Sequence, residues 1–150
     1  MECPRCQGRI LIVRDHLGIE VDACRNCEGM WLDYHELDQL EDRVLDDDSV
    51  KGSMVYAERA SDISCPKCAK RLTTFNYRAY DLPIDFCVDG HGFWLDAGEE
   101  KRVLELMKKR IKDLKRVSSA EGEWASFLQG LASGRSSSGG LMGKIKGWLA

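Results

Sequence analysis

Hydrophobic and polar positions along the chain indicate two short hairpins. Apolar and β-branched residues predict one strand over 9–14 and a second over 19–22, joined by a turn that contains Gly18. A similar pair occurs over 71–77 and 82–86. Enrichment in β-branched and aromatic residues favours strands over helices. The pattern therefore predicts two β-hairpins.

An amphipathic helix is predicted after each hairpin. Asp33 and Asp96 are each followed three residues later by a glutamate, as a capping box at a helix N-terminus requires. Apolar residues then recur at three- and four-residue spacings, which is typical of the buried stripe of a helix. The capping glutamates are Glu36 and Glu99, and the stripes are Leu37, Leu40 and Val44 in the first helix and Leu104, Met107, Ile111 and Leu114 in the second.

Cysteine spacing adds metal chemistry to this pattern. The first four cysteines form two C-x2-C pairs separated by 17 residues, which is the spacing of a tetrahedral zinc site: Cys3, Cys6, Cys24 and Cys27. Two redox-active dithiols in a thioredoxin-like fold are the alternative, but the βαβ pattern of that fold does not surround these cysteines. We therefore expect zinc, although spacing alone does not distinguish it from iron.

The second half of the chain repeats the first. Cys65 and Cys68 repeat the first cysteine pair after a shift of 62 residues, and Cys87 corresponds to Cys24 after a shift of 63. The segment Gly-x-Trp-Leu-Asp occurs at 29–33 and again at 92–96. Agreement at this density indicates a tandem duplication, and we refer to the two halves as the first and second copies.

The second copy lacks the last cysteine. Gly90 replaces it, and His91 follows. We predict that His91 is the fourth ligand, because its longer side chain can reach the position that a cysteine would occupy one residue earlier. Asp89 and a water molecule are the alternatives. A water ligand would leave an open Lewis-acidic site that could support hydrolysis, with Asp85 and Asp96 also near in sequence.

The remaining histidines and the two repeated tryptophans have structural interpretations. His16 and His35 are not expected to bind metal, because the first copy already supplies four cysteines. Trp31 and Trp94 are predicted to pack each helix against the cysteine turns of its own copy. Stacking on nucleic-acid bases is the alternative for the tryptophans.

The arrangement C-P-x-C, D-x-C and G-x-W-L-D-x-x-E resembles the transcription factor IIB-like zinc-finger family of short zinc ribbons. The resemblance covers Cys3 to about Leu45 and Cys65 to about Val117. It implies structural metal positions, with the second copy departing from the family pattern at Gly90 and His91. It is an analogy of fold and does not assign a role in transcription. Modules of this size are expected to depend on their metal for folding.

The net charge of −3 is distributed unevenly along the chain. Residues 1–45 form the predicted first ribbon and helix and carry five basic and ten acidic side chains, followed by a predicted acidic linker over 46–62. Residues 63–116 form the second ribbon and helix, and 101–116 are strongly basic. Contacts with nucleic-acid phosphates are one interpretation of this basic helix, and complementing the helix dipole is the other.

Residues 117–150 form a predicted tail. A flexible Ser/Gly-rich segment over 133–140 separates two short amphipathic helices. The first contains Trp124, Phe127, Leu128 and Leu131, and the second contains Leu141, Met142, Ile145, Trp148 and Leu149. Such helices suit docking, with self-association, a protein partner and a membrane surface as alternatives in that order.

The predicted fold class is small α+β and metal-stabilised, with two zinc ribbons, each followed by a helix, and a flexible tail. No run approaches the roughly 20 apolar residues of a membrane span, and no signal peptide precedes the first cysteines, so a cytoplasmic protein is expected. The leading functional interpretation is a non-enzymatic zinc-binding adaptor that contacts a protein. A nucleic-acid-associated or transcription-related factor is second, and a hydrolase with an open second zinc site is third.

Overall fold

The computed structural model describes residues 1–45, 47 and 51–132 of the 150-residue chain. The first half contains β1 (Ile12–His16), β2 (Ile19–Ala23), β3 (Met30–Leu32) and α1 (Tyr34–Asp42). The second contains β4 (Val55–Ser64), β5 (Arg71–Tyr77), β6 (Pro83–Phe86), β7 (Phe93–Leu95) and α2 (Glu99–Ala132). The predicted α+β class, with a hairpin and then a helix in each copy, is confirmed.

The strands named above form one antiparallel sheet in the order β1-β2-β3-β7-β6-β5-β4. Strand β3 of the first copy therefore lies beside β7 of the second. At the centre of this pair Trp31 lies opposite Trp94, and these two residues occupy equivalent positions in the two copies. An approximate two-fold axis thus passes between the two tryptophans.

The two faces of the sheet are covered by different structures. Because successive side chains of a strand point to opposite faces, β3 and β7 each contribute to two cores. On one face their residues pack with Leu37 of α1 and Val103 of α2. On the other, Trp31 and Trp94 join an apolar cluster that contains the cysteines. We call this second side the cysteine face.

The predicted capping boxes form to different extents. In α1, Asp33 Oδ1 accepts a hydrogen bond from the Glu36 backbone N–H at 2.8 Å, and Glu36 Oε2 accepts one from the Asp33 backbone N–H at 2.7 Å. Before α2, Glu99 Oε2 accepts from the Asp96 backbone N–H at 2.8 Å. The Asp96 carboxylate instead accepts hydrogen bonds from Arg5 and Trp94. The first box is complete and the second is half formed.

The predicted acidic linker over 46–62 differs from the structure where the structure describes it. Residues 55–62 lie in β4, which pairs with β5 at an edge of the sheet. Most β4 side chains are exposed, so the strand lacks the apolar alternation that identifies a strand in sequence. Residues 46 and 48–50 of the predicted linker lie outside the described residues.

The chain divides into two units, Met1–Ile111 and Lys112–Ala150. The first contains the sheet, α1 and the beginning of α2. In the second unit the structure describes residues 112–132, which are helical, whereas a tail was expected to begin at 117. The predicted flexible segment and last helix, over 133–150, lie outside the described residues. Within the described ranges, neither helix has the length and apolarity to cross a membrane.

Candidate metal centres

The cysteines of the first copy come together at one point of the cysteine face. Cys3, Cys6, Cys24 and Cys27 form a group whose sulfurs all lie within 4.8 Å of one another. Cys24 follows β2, and the turn through Cys27 leads into β3. Backbone N–H groups donate to the sulfurs, from Cys6 to Cys3 Sγ at 3.3 Å and from Asn26 to Cys24 Sγ at 3.4 Å. We call this group site 1.

The corresponding group of the second copy contains a histidine. Cys65, Cys68, Cys87 and His91 place one ligand atom each within the same 4.8 Å limit. His91 Nδ1 lies 3.4 Å from Cys87 Sγ and 3.8 Å from Cys65 Sγ. Asp89, the alternative ligand, is not in the group, and its carboxylate forms an ion pair with Lys70 at 2.8 Å. We call this group site 2.

The sulfur spacing fits zinc. A tetrahedral ion with Zn–S bonds of about 2.3 Å holds its sulfurs about 3.8 Å apart. In site 1 the sulfurs of Cys3 and Cys27 are 3.6 Å apart, and in site 2 those of Cys68 and Cys87 are 3.7 Å apart. All seven cysteines are free thiols, and none forms a disulfide. The two groups therefore fit two zinc ions, as the cysteine spacing predicts.

The electrostatics of the thiols also suit a cation. Burial raises the pKa of Cys3 to about 12 and that of Cys65 to about 11. At Cys24 burial acts in the same direction, but backbone N–H groups of Cys27 and Asn26 lower the pKa to about 7. Holding four thiolates at such a site requires a compensating positive charge, which a divalent metal supplies.

The two remaining histidines stay outside both groups. His16 lies in β1 and is half-buried, and His35 lies in α1 and is exposed. Neither shares a metal-binding group in the part of the chain that the structure describes. The expectation that they do not bind metal remains a prediction.

The tryptophans pack across the two copies rather than only within their own. A Cβ atom on Gly29 would lie 2.3 Å from the Trp94 ring. On Gly92 it would lie 2.9 Å from Trp31 Nε1 and 2.4 Å from the Leu32 carbonyl oxygen. Glycine is therefore required at both positions, because each lies against the tryptophan of the other copy. The prediction that each tryptophan packs a helix against the cysteine turns of its own copy missed this exchange. It also differs from the structure because the helices pack on the other face of the sheet.

An ion-pair cluster beside site 1 also joins the copies. Arg5 lies between the ligands Cys3 and Cys6, yet its guanidinium group donates to Asp96 through Nε at 3.0 Å and Nη2 at 2.8 Å. Its Nη1 donates to Asp62 at 3.0 Å, and its Nη2 lies 3.6 Å from Asp85. The Asp96 carboxylate, which also accepts from Trp94 Nε1 at 2.8 Å, raises the pKa of Arg5. All three carboxylates lie outside the first copy.

The ligand spacing predicts the eight side chains of the two sites but not the contacts between the copies. The only signal for those contacts was the recurrence of a basic residue between the first two cysteines and of aspartates at Asp85 and Asp96. Nothing in the sequence shows that these positions meet, because the copies could equally have folded as separate modules.

Comparison with known families agrees with the geometry of site 1. Residues 2–43 match the family model of a transcription factor zinc-finger of the TFIIB zinc-ribbon type. The second copy lies outside the match. No curated protein and no solved structure matches the chain. The first copy is therefore indicated as a zinc ribbon by both its family match and its ligand set, and the second by its ligand set.

Proposed function

We propose that this protein is a non-enzymatic zinc-binding interaction module whose helix α2 binds an apolar groove on a partner protein. The observation that carries this proposal is a group of exposed apolar side chains near the end of α2. Trp124 is 58% exposed and Leu131 is 60% exposed, and Val117, Phe127 and Leu128 are exposed beside them. We call these five residues the α2 apolar surface.

The α2 apolar surface has the composition of a helix that docks in a groove. Residues 117, 124, 128 and 131 follow the spacing of helical anchors, which recur every three, four or seven residues. The rings of Trp124 and Phe127 stack with centroids 5.4 Å apart. Tryptophan dominates binding energy at many interfaces. Lys112, Lys115 and Arg116 precede this surface and are exposed, so an acidic rim would suit that end of the groove.

A structural role for the metals supports the non-enzymatic part of the proposal. Each site supplies four protein ligand atoms, as structural zinc sites do, whereas catalytic zinc sites keep a position for water or substrate. His91 as the fourth ligand of site 2 leaves no need for the water that the hydrolase interpretation requires.

The test compares two variants of the full chain. Trp124→Ser with Leu128→Ser removes two anchors, and Ser118→Ala with Ser119→Ala is the control on the same helix. Proteins that co-purify with the wild-type chain are identified and produced separately. Each is then titrated by calorimetry against the wild type and against both variants. We expect the first variant to raise the Kd of a true partner by about 30-fold or more and the control to leave it unchanged. Equal binding by both variants would refute the α2 apolar surface, and sedimentation of the chain alone would reveal a second copy as the partner.

Nucleic-acid binding is the second candidate, because several basic side chains of α2 are exposed. Lys101, Lys108 and Lys109 are exposed in the first unit. Fluorescence anisotropy with random duplex DNA and single-stranded RNA across a salt series tests this candidate. Affinity that falls linearly with log salt, and is lost in Lys108→Glu with Lys109→Glu, would favour nucleic acid. No binding at low salt would eliminate it.

A further inference from the structure

The two metal sites share one apolar environment. Both groups of cysteines belong to the cluster on the cysteine face, together with Leu11, Ile63 and Leu72. Trp31 and Trp94, each only 1% exposed, lie in the same cluster. Zinc ribbons that act as independent modules would each enclose their own metal. Here the packing around one site includes residues that pack around the other.

The sites are also joined by reciprocal contacts. Trp94 of the second copy lies against Gly29, two residues beyond the ligand Cys27 of site 1. Trp31 of the first copy lies against Gly92, one residue beyond the ligand His91 of site 2. A shift in either turn therefore displaces a tryptophan that belongs to the other half of the sheet.

Arg5 adds a polar connection to this packing. Its backbone lies in the turn that carries Cys3 and Cys6, and its side chain holds Asp96 with two hydrogen bonds. Asp96 follows β7 directly and also accepts from Trp94 Nε1. The turn that site 1 fixes is thus connected to the strand and tryptophan that pack beside both sites. We call Arg5, Gly29, Trp31, Gly92, Trp94 and Asp96 together the inter-copy clasp.

We infer that the inter-copy clasp makes the two zinc sites one cooperative unit, so that the chain gains and loses its two zinc ions together. Zinc at either site holds the turns against which the clasp packs, and an intact clasp in turn holds the other set of ligands in place. By thermodynamic linkage the effect is reciprocal, since each ion raises the affinity for the other by an equal factor. This inference goes beyond the proposed partner binding and does not depend on it.

The first experiment removes site 2 and measures site 1 in the full-length, zinc-loaded protein. Cys68→Ser with His91→Ala removes two half-buried ligands of site 2 and leaves every clasp residue in place. Bound zinc is measured by atomic emission across a chelator series, and hydrogen exchange follows the amides of residues 24–28. We expect site 1 to release its ion at about tenfold lower chelator concentration, within the range of coupling between binding sites, and to exchange faster. An unchanged site 1 would overturn the inference.

The second experiment keeps all eight ligands and breaks the clasp. Arg5→Met removes the connection to Asp96, and Arg25→Met is the matched control, because Arg25 also lies between two ligands of site 1 but is exposed and outside the clasp. We expect the wild type and Arg25→Met to release both ions in one transition. Arg5→Met should release them in two.

Two results of the second experiment would contradict the inference. If the wild type itself releases zinc in two transitions, the sites are independent. If Arg5→Met releases both ions in one transition at the wild-type midpoint, Arg5 does not couple the sites. Because the Arg5→Met chain retains every metal ligand, this comparison remains decisive even if the variant that lacks site 2 fails to fold.

Discussion

Arg5 and Lys67 show how a difference in one side chain makes two copies of a motif differ in their contacts. They occupy equivalent positions between the first two ligands of each site. The forked guanidinium of Arg5 holds both oxygens of Asp96, which leaves the capping box of α2 half formed. Lys67 lies near enough to Glu36 for its charge to oppose the burial that raises the pKa of this glutamate. A lysine is a point charge, so Asp33 remains available to cap α1.

Glu99 provides a pH-dependent prediction at the residue scale. Burial raises the pKa of Glu99 to about 7, and the nearby charges of Asp96 and Asp85 act in the same direction. A raised carboxyl pKa stabilises the fold most at low pH, and this contribution is lost as the pH rises through the folded pKa. Glu99→Gln keeps an acceptor for the Asp96 backbone N–H but carries no charge. We therefore expect the variant to gain stability relative to wild type as pH increases.

Urea unfolding of both proteins at about pH 6 and about pH 8 measures this difference. The free energy of unfolding of Glu99→Gln, minus that of wild type, should be larger at the higher pH. Zinc binding contributes equally to both proteins, since their ligands are identical. A difference that is constant with pH would show that Glu99 does not titrate in this range.

Gly29 gives a second residue-scale prediction. Gly29→Ala places a methyl group within 2.3 Å of the Trp94 ring, so the ring or the turn must move. We expect a loss of about 1–3 kcal/mol in the free energy of unfolding. Gly122→Ala is the control, because nothing beyond its chain neighbours and the local helix backbone lies within 4 Å of the added methyl group. Alanine is favoured over glycine within a helix, so we expect Gly122→Ala to be at least as stable as wild type. Chemical denaturation of both variants and the wild type measures these differences.

At the scale of elements, a buried ion pair joins α1 to Arg78, the residue that follows β5. Glu41 of α1 is fully buried, and its Oε2 accepts a hydrogen bond from Arg78 Nη2 at 2.7 Å. Its Oε1 accepts from the Tyr77 hydroxyl at 2.5 Å. Arg78 also donates to the backbone carbonyls of Lys51 and Gly52. The helix of the first copy is thus fixed to a strand of the second and to the segment that connects them.

Replacement of Glu41 should strongly reduce the free energy of unfolding. Glu41→Ala leaves the buried Arg78 guanidinium without its carboxylate, and such losses reduce the free energy of unfolding by about 3–5 kcal/mol. Asp113→Ala breaks an exposed pair with Arg116 and should cost about 1 kcal/mol or less. Thermal unfolding with excess zinc compares the two variants. Similar losses in both would show that the buried pair is not a major contributor.

Local signals predicted individual elements, and contacts distant in sequence decided the rest. Asp33 and Glu36 marked the start of α1 because a capping box lies within four residues. Strand β4 carried no such signal, since its exposed polar side chains resemble those of a linker and only its hydrogen bonds to β5 define it. Helix α2 continues past residue 117, where the change in composition predicts that it ends. Its serines and glycines lower helix propensity without preventing a helix.

At the scale of the whole molecule, the clustering of the candidate metal ligands was predictable and the single sheet was not. Ligand spacing is a local property, because each pair of cysteines must present its sulfurs from one turn. The pairing of β3 with β7 depends on two segments about 60 residues apart, and either strand could have been a free edge. The sequence alone therefore favoured two modules with a linker, whereas both copies share one sheet.

Metal removal should consequently affect both copies at once. Excess chelator is expected to expose Trp31 and Trp94, which are buried in the cluster that contains the cysteines. Tryptophan fluorescence should shift to longer wavelength, and re-addition of zinc should reverse the shift. Trp124 is already exposed, so Trp124→Phe is the control: without that fluorophore, the shift should still occur at the same chelator concentration as in wild type. An unchanged emission spectrum after complete zinc removal would show that the fold does not depend on metal.

The pairing of Trp31 with Trp94 has a consequence for any shorter chain that carries a single copy. Identical positions that face each other across a two-fold axis are the geometry of a symmetric homodimer. A chain with the first copy alone would leave β3 as a free edge, and we expect two such chains to pair through that edge. Within one polypeptide the two halves need not be identical, so site 2 contains His91 whereas the clasp arginine, Arg5, lies in the first half. In this geometry the chain resembles a heterodimer whose two halves are covalently joined.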